Sequence, residues 1–240
     1  MIRKLVSIVL FIATIASVAS FANETKVKKE AEKFFENAKI DEVRKLSGLD
    51  LYEIRLGSDV AYTDEKFSYI FFGNLIDTKS KKNLTQARQR ELSAIKFSDL
   101  PLDLAIKTVR GKGTRVMATF EDPNCGYCKR LQKELVKVDD VTIYTFLLPI
   151  LSEDSTTKSR AIWCASNKSK AWADYMVSDK TPPAVPDSCK APIEQVKELG
   201  QKYRISGTPT IFLASGQRIP GYMPADKLNE ALKAGAAPEN

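Results

Sequence analysis

Two cysteines separated by two residues most constrain what this chain can fold into. Cys125 and Cys128 enclose Gly126 and Tyr127, and they follow the apolar, strand-like run Val116–Phe120 across a four-residue segment. A helix that opens at Cys125 has unpaired N–H groups and the positive end of its dipole in its first turn, where a thiolate is stabilised. Two intervening residues also bring Cys128 round one helical turn towards Cys125. The motif predicts a thiol–disulfide redox centre, and the alternative is a structural disulfide.

The first 22 residues are typical of an export signal. Arg3 and Lys4 precede the apolar run Leu5–Val18, and small residues follow as far as Ala22, near which we expect cleavage. The run is about 14 residues long, shorter than the ~20 that a membrane-spanning helix needs. A transmembrane anchor is therefore the weaker interpretation, and we expect a soluble mature protein in the periplasm.

Cysteine count and charge restrict the other chemistries. The four cysteines stand at positions 125, 128, 164 and 189, and four thiols in an oxidising compartment allow three pairings. Two cysteine pairs can also hold zinc, but the second pair lacks close spacing and the chain has no histidine. We expect no metal and no cofactor. The net charge is +7, with basic residues scattered among acidic ones, which predicts a solvated surface and no nucleic-acid partner.

Residues 23–82 have the pattern of a small α+β domain. Apolar residues recur at helical spacing over 24–46, and strand-like segments follow at Leu51–Leu56, Val60–Thr63 and Phe67–Phe72. About 60 residues bury too little surface to be stable alone, and an aromatic segment invites pairing at a sheet edge. Both arguments predict a dimer formed through this domain.

A polar helix and a larger domain complete the predicted organisation. Residues 83–97 predict a linker helix, since a helix that is polar nearly all round often bridges domains. The alternative is that this helix is the last one of the first domain. Residues 98–240 alternate strands and helices, which predicts a mixed sheet with helices on its faces. One long helical segment is expected near residues 156–176.

A second signal stands at Thr208 and Pro209, just before the apolar strand-like run Ile211–Leu213. A proline that enters an interior strand lacks the N–H that the ladder needs, and a cis peptide bond turns the chain there. An ordinary trans turn is the alternative. With the cysteine motif upstream, we expect the cis form, in a loop that faces Cys125.

Taken together, these motifs resemble the DsbC family of periplasmic protein-disulfide isomerases. The resemblance covers most of residues 115–228, and its order of small domain, linker helix and second domain also matches. It is carried by four segments of the sequence: Phe120–Leu131 around the cysteine motif, Ala161–Ala165, Ser206–Pro209 and Pro220–Tyr222.

The resemblance implies a fold and a set of roles. The fold is α+β: a thioredoxin-like C-terminal domain with a helical insertion, joined by the linker helix to a small cystatin-like N-terminal dimerisation domain. Cys125 is then the nucleophile and Cys128 the resolving thiol. Thr208 and Pro209 form the substrate-facing loop beside Gly126 and Tyr127.

The resemblance also implies a second, structural disulfide between Cys164 and Cys189. Closing a loop of about 25 residues stabilises a fold by roughly 3 kcal/mol in the chain-entropy model. One departure is visible, because Thr119 stands where thioredoxins bury an acidic residue. That proton-relay role is therefore not carried over, and the orientation of Glu121 is open.

The function that the resemblance implies is isomerisation of incorrect disulfides in misfolded exported proteins. A homodimer joined by its N-terminal domains would hold them, and a membrane reductase of the DsbD type would keep the cysteines reduced. Two alternatives remain at this point. One is a DsbG-like reductase of sulfenylated or mispaired cysteines, and the other is a periplasmic holdase chaperone that works without the cysteines.

Overall fold

The computed structural model describes residues 23–36, 38–184 and 188–235, and the chain divides into two compact units, Met1–Ser93 and Ala94–Asn240. The predicted export signal and its cleavage near Ala22 lie outside the described residues. Within the described ranges, no helix combines the length and apolar character needed to cross a membrane. The domain boundaries at residues 82 and 97 stay predictions.

The N-terminal unit is a helix packed on a four-stranded antiparallel meander. Helix α1 covers residues 23–34. Its buried residues Val27 and Ala31 pack against Val43, Tyr52 and Ile54 of the sheet. The strands, in their spatial order, are β1 (Glu42–Lys45), β2 (Tyr52–Leu56), β3 (Asp59–Thr63) and β4 (Ile70–Phe71).

Two sequence predictions in this unit are wrong. The helix predicted over 24–46 ends at residue 34, and Glu42–Lys45 is a strand. Only Val43 of this strand is buried. Its charged residues have the same pattern as the exposed surface of a helix, which is why the sequence was misinterpreted. The strand predicted over Phe67–Phe72 shrinks to two residues, because the Asp64 side chain accepts hydrogen bonds from the amides of Ser68 and Tyr69. That turn holds the backbone away from the ladder.

Helix α2 (Leu84–Ser93) packs on this same unit. Arg88 donates to the buried carboxylate of Glu53 at 2.9 Å and to Glu42 at 3.0 Å. The hydroxyls of Thr85 and Tyr62 lie 2.6 Å apart. These contacts agree with the alternative interpretation that the helix ends the first domain, and its role as a linker stays a prediction.

The C-terminal unit is a five-stranded mixed sheet with helices on both faces. The central strand β6 is parallel to β7 and antiparallel to β8, and the outer pairs are antiparallel. The α+β class predicted from the sequence is confirmed. In spatial order the strands are β5 (Ile106–Arg110), β7 (Val141–Leu147), β6 (Arg115–Glu121), β8 (Thr210–Leu213) and β9 (Arg218–Pro220).

Alternation along β6 divides the core into two layers. Met117 packs with Leu131 of α3 (Gly126–Leu135) and Leu228 of α7 (Ala225–Ala234) on one face. Ala118 and Phe120 pack on the other face against α6 (Ile193–Lys202). Because both faces are covered, β6 is buried from Met117 to its last residue.

A helical insertion lies between β7 and α6. The single helix expected near residues 156–176 is two helices, α4 (Glu153–Trp163) and α5 (Lys168–Ser178). The break is fixed by Asn167, whose side chain accepts the amide of Lys170 and caps α5. A disulfide joins Cys164, at the end of α4, to Cys189.

Gly216 makes the tight turn between β8 and β9. Its φ is +85°, a left-handed conformation that favours glycine, and its carbonyl oxygen accepts the amide of Ile95 at 3.0 Å. A Cβ atom on Gly216 would stand 1.9 Å from the carbonyl oxygen of Ile95. Gly221 has the same φ, but nothing lies within 4 Å of its Cβ position.

We therefore expect Gly216→Ala to cost more stability than Gly221→Ala. The matched control shares the backbone strain, about 1–2 kcal/mol, and the clash adds about 1–3 kcal/mol at Gly216. Urea unfolding followed by tryptophan fluorescence measures this, since both tryptophans, Trp163 and Trp172, lie in the C-terminal unit. Equal losses in the two variants would contradict the clash.

Candidate active site

Cys125 stands where β6 has ended and α3 begins. It is the N-cap residue of α3, with extended backbone angles (φ −77°, ψ 116°), and its sulfur accepts the amide N–H of Cys128 at 3.2 Å. Its own amide donates to the carbonyl oxygen of Asp122 at 3.0 Å. A sulfur in this position takes the place of a capping oxygen and faces the positive end of the helix dipole.

The loop before β8 meets this sulfur. The Thr208–Pro209 peptide bond is cis, as expected from the sequence. The Cys125 thiol donates to the carbonyl oxygen of Thr208 at 3.2 Å. The loop is held in turn by the amide of Gly221, which donates to the carbonyl oxygen of Pro209 at 2.8 Å. Residues 83 positions apart in the chain are thus brought together at one sulfur.

The two cysteines differ in access. Both are free thiols; Cys125 is 5% exposed and Cys128 is completely buried. Residues of α5, including Trp172 and Tyr175, cover them from the insertion. Tyr127 is the exposed member of the motif, at 60%. A disulfide that approaches from solvent therefore meets Cys125 first.

The same surroundings shift the pKa values of the two thiols in opposite directions. Hydrogen bonds from the Cys128 thiol, from the Thr208 side chain and from the amides of Cys128 and Tyr127 outweigh burial and lower the pKa of Cys125 to about 6. Burial, reinforced by the hydrogen bond to Cys125, raises the pKa of Cys128 far above that of a free cysteine. One thiol is a thiolate at neutral pH, and its neighbour keeps its proton.

A buried carboxyl group lies close enough to interact with both. Glu121, the last residue of β6, is 0% exposed, and burial raises its pKa to about 8, with a further contribution from the charge on Cys125. Its Oε1 accepts the Gln132 side chain at 2.7 Å, and its Oε2 has no hydrogen-bond partner among the described residues. Gln132 lies one helical turn beyond Cys128.

Four of the residues singled out in the sequence, Cys125, Cys128, Thr208 and Pro209, thus converge on one site, and Gly126 and Tyr127 open α3 beside it. Cys164 and Cys189 form the separate disulfide of the insertion. Within the described ranges no group of side chains suits a metal ion.

Sequence reasoning missed that the polar residues from the end of β6 to Cys125 are largely buried or bonded to the insertion. Glu121 and Asp122 are completely buried, and the Asn124 side chain is hydrogen-bonded to the insertion. A run of polar residues after an apolar strand is usually a solvated loop. The one local signal was the position of this run, between a buried strand and the cysteine motif.

Comparison with known proteins identifies two domains. Residues 102–236 match the model of a thioredoxin-like domain, and residues 18–86 match that of the disulfide bond isomerase protein N-terminal domain. A probable thiol:disulfide interchange protein DsbC from Bordetella parapertussis is 48% identical over 206 residues, which are 86% of this chain and 73% of the relative. The thiol:disulfide interchange protein DsbC of Escherichia coli is 34% identical over 121 residues, 49% of this chain and 50% of that protein.

A solved structure shares the fold of part of the chain. The crystal structure of a disulfide interchange protein from Neisseria gonorrhoeae superposes with a TM-score of 0.54 at 38% identity. The match covers 57% of this chain and 98% of that one.

The acidity of Cys125 predicts the pH dependence of its alkylation. Because only the thiolate reacts, the iodoacetamide rate of the reduced protein should rise with pH and reach half its plateau near pH 6. The Cys128 thiol should stay unlabelled over the same range. Mass spectrometry of peptides after timed alkylation measures both, and a midpoint near 8.5, the value of a free cysteine, would contradict the geometry.

Proposed function

The chain belongs to the DsbC family of thiol:disulfide interchange proteins, and we propose that it isomerises incorrect disulfides through Cys125 and Cys128. One observation carries the assignment of roles: Cys125 is the less buried of the two cysteines, and its sulfur accepts a hydrogen bond from an amide of the first turn of α3. Cys125 is the nucleophile and Cys128 the resolving thiol. Thr208 and Pro209 form the loop that faces an incoming substrate.

The exchange begins with the Cys125 thiolate. It attacks one sulfur of a substrate disulfide, the substrate S–S bond breaks, and the other substrate sulfur leaves as a thiolate. If a substrate thiolate then attacks the substrate sulfur of the mixed disulfide, a new substrate disulfide forms and Cys125 is released. No net electrons move in this route, which is isomerisation.

The second route is reduction. The Cys128 thiolate attacks the Cys125 sulfur, the Cys125–Cys128 disulfide forms, and the substrate leaves with two more electrons. A dithiol donor must then restore the cysteines, and we assign that role to a membrane reductase of the DsbD type. We assign the protein to the periplasm, the compartment of exported substrates and of such a donor.

Glu121 supplies a proton acceptor for the reducing route. While Cys125 is a thiolate, its charge disfavours ionisation of the buried Glu121 carboxyl. In the mixed disulfide that charge is gone, so the Glu121 carboxylate becomes easier to form just when Cys128 has to lose its proton. The unpartnered Oε2 is the atom to receive it.

The N-terminal unit supports a homodimer that holds substrate proteins. Its edge strand β4 pairs only with β3 in the sheet. Phe71 and Phe72 at this edge are 52% and 61% exposed. Exposed aromatic side chains beside an unpaired edge suit a second copy of the chain.

Refolding of scrambled ribonuclease tests the function. We expect the purified protein to restore activity in the presence of a thiol, and Cys125→Ala to abolish the acceleration. Cys128→Ala should keep part of it and accumulate mixed disulfides, because resolution is lost while attack is kept. A chaperone that works without cysteines would make all three proteins equal. A reductase would reduce substrates without restoring ribonuclease activity.

The role of Glu121 predicts a selective defect. Glu121→Gln should leave alkylation of Cys125 fast but slow the resolution of mixed disulfides by Cys128 by about 100-fold or more near pH 7, the scale of a lost general base. Quenched-flow trapping of the mixed disulfide measures this, with Glu121→Asp as the conservative variant that should recover part of the rate. Unchanged resolution would remove Glu121 from the mechanism.

The proposed dimer predicts the molecular mass of the protein in solution. Light scattering should give two chains for the wild type, and Phe71→Asp with Phe72→Asp should give one, since two charges at an apolar interface oppose association. Cys125 alkylation should be unaffected. A single-chain mass for the wild type would refute the dimer without affecting the redox chemistry.

A further inference from the structure

A buried carboxylate lies three residues before the reactive cysteine. Asp122 is 0% exposed, and all its hydrogen-bonding partners are donors. Its Oδ1 accepts the amide of Asn124 at 2.7 Å and the hydroxyl of Ser155 at 2.8 Å. Its Oδ2 accepts the amides of Ile150 and Leu151 at 2.8 and 3.0 Å. The side chain of Asp122 thus joins the segment before Cys125 to the loop between β7 and α4, and to α4 itself.

Asn124 makes a second connection from the same segment to the insertion. Its Nδ2 donates to the side chain of Asp154 at 2.7 Å and its Oδ1 accepts the Lys158 ammonium at 2.9 Å, both on α4. The hydroxyl of Tyr175, on α5, also donates to Oδ1 at 3.2 Å. The residue next to Cys125 in the chain is therefore fixed by two helices outside the sheet.

These bonds bear directly on the geometry of the sulfur. The amide of Cys125 donates to the backbone carbonyl of Asp122, and the sulfur accepts the amide of Cys128. A rotation of residues 122–124 moves the N-cap residue and lengthens the S···H–N contact. Such contacts are sensitive to small displacements, since hydrogen bonds weaken steeply with angle.

We propose that Asp122 is a positioning residue for the exchange reaction, which through its four hydrogen bonds fixes Cys125 at the N-terminal turn of α3. The part of the insertion that contacts Asp122 and Asn124 then helps to position the nucleophile and is not only a cover for it. The inference rests on the proposed function of Cys125. It adds the element that sets the geometry of the nucleophile.

Asparagine is the informative replacement because it keeps the shape of the side chain. An amide group offers one acceptor oxygen, so in either orientation its NH₂ faces at least one backbone N–H that needs an acceptor. Two opposing effects on Cys125 follow. Loss of a negative charge lowers the pKa of a nearby thiol, whereas loss of the amide contact raises it. The sign of the shift therefore separates electrostatics from positioning.

The test is the pH profile of Cys125 alkylation in the full-length reduced protein. Asp122→Asn should move the midpoint upward from about 6 by about one pH unit or more. A shift of that size makes alkylation at pH 6 about fivefold slower, because the thiolate fraction falls from a half to about a tenth. Glu121 and Cys128, the ionisable groups that interact with Cys125, are retained in this variant.

Two further variants keep the test decisive. Ser155→Ala removes one donor from Asp122 without changing any charge, so it should raise the midpoint by a smaller amount even if Asp122→Asn fails to fold. Ser169→Ala is the matched control in the same insertion. Its hydroxyl lies 2.7 Å from that of Thr108, outside the Asp122 and Asn124 contacts, and its profile should match the wild type.

A downward shift in Asp122→Asn, or an unchanged midpoint in both Asp122→Asn and Ser155→Ala, would overturn the positioning role. Lower stability with an unchanged midpoint would show a structural role only. Because alkylation needs no protein substrate, the result is independent of the ribonuclease assay. If Asp122→Asn shows the upward shift but the wild-type protein fails to refold ribonuclease, the positioning role is kept and the isomerase function is rejected.

Discussion

The site depends on the central strand β6, which its neighbours in the sheet hold in place. β6 is hydrogen-bonded on both sides, to β7 and to β8, and both its faces are buried. Its carboxyl end is therefore held by the neighbouring strands, and Cys125 lies four residues beyond it. The Thr208–Pro209 loop enters β8, the antiparallel neighbour of β6, so the two halves of the site are registered against each other by backbone hydrogen bonds.

Electrostatics in a small buried volume then assigns the roles. Cys125, Cys128 and Glu121 lie close together, and burial disfavours charge on each of them. Of these three groups, only Cys125 has hydrogen bonds that outweigh this cost, first from the Cys128 thiol and then from Thr208 and two backbone amides. The site thus stabilises one negative charge, on Cys125. When that charge is lost, the pKa values of Glu121 and Cys128 change as well. The proposed order of proton transfer rests on this limit on total charge and needs no histidine, of which the chain has none.

Local patterns carried much of the prediction. The cysteine motif and the Thr208–Pro209 turn were readable because strand, turn and helix signals lie within a few residues of each. Glu42–Lys45 was misread because its charged residues fit a helix surface and a strand edge equally well; only pairing with β2 decides. Asp122 was missed because three of its four partners lie 28 to 33 residues away, on elements whose packing no local pattern specifies.

The disulfide between Cys164 and Cys189 has a consequence for how this protein matures. A fully reduced chain carries four thiols, and only one of the three complete pairings joins Cys125 to Cys128. Cys164 belongs to the insertion that fixes the segment before Cys125, so a chain with a wrong partner for Cys164 is poorly placed to correct itself. The protein thus needs correct pairing of its own cysteines before it can exchange disulfides in other proteins. Its correctly paired molecules are then equipped to act on wrongly paired copies of the same chain.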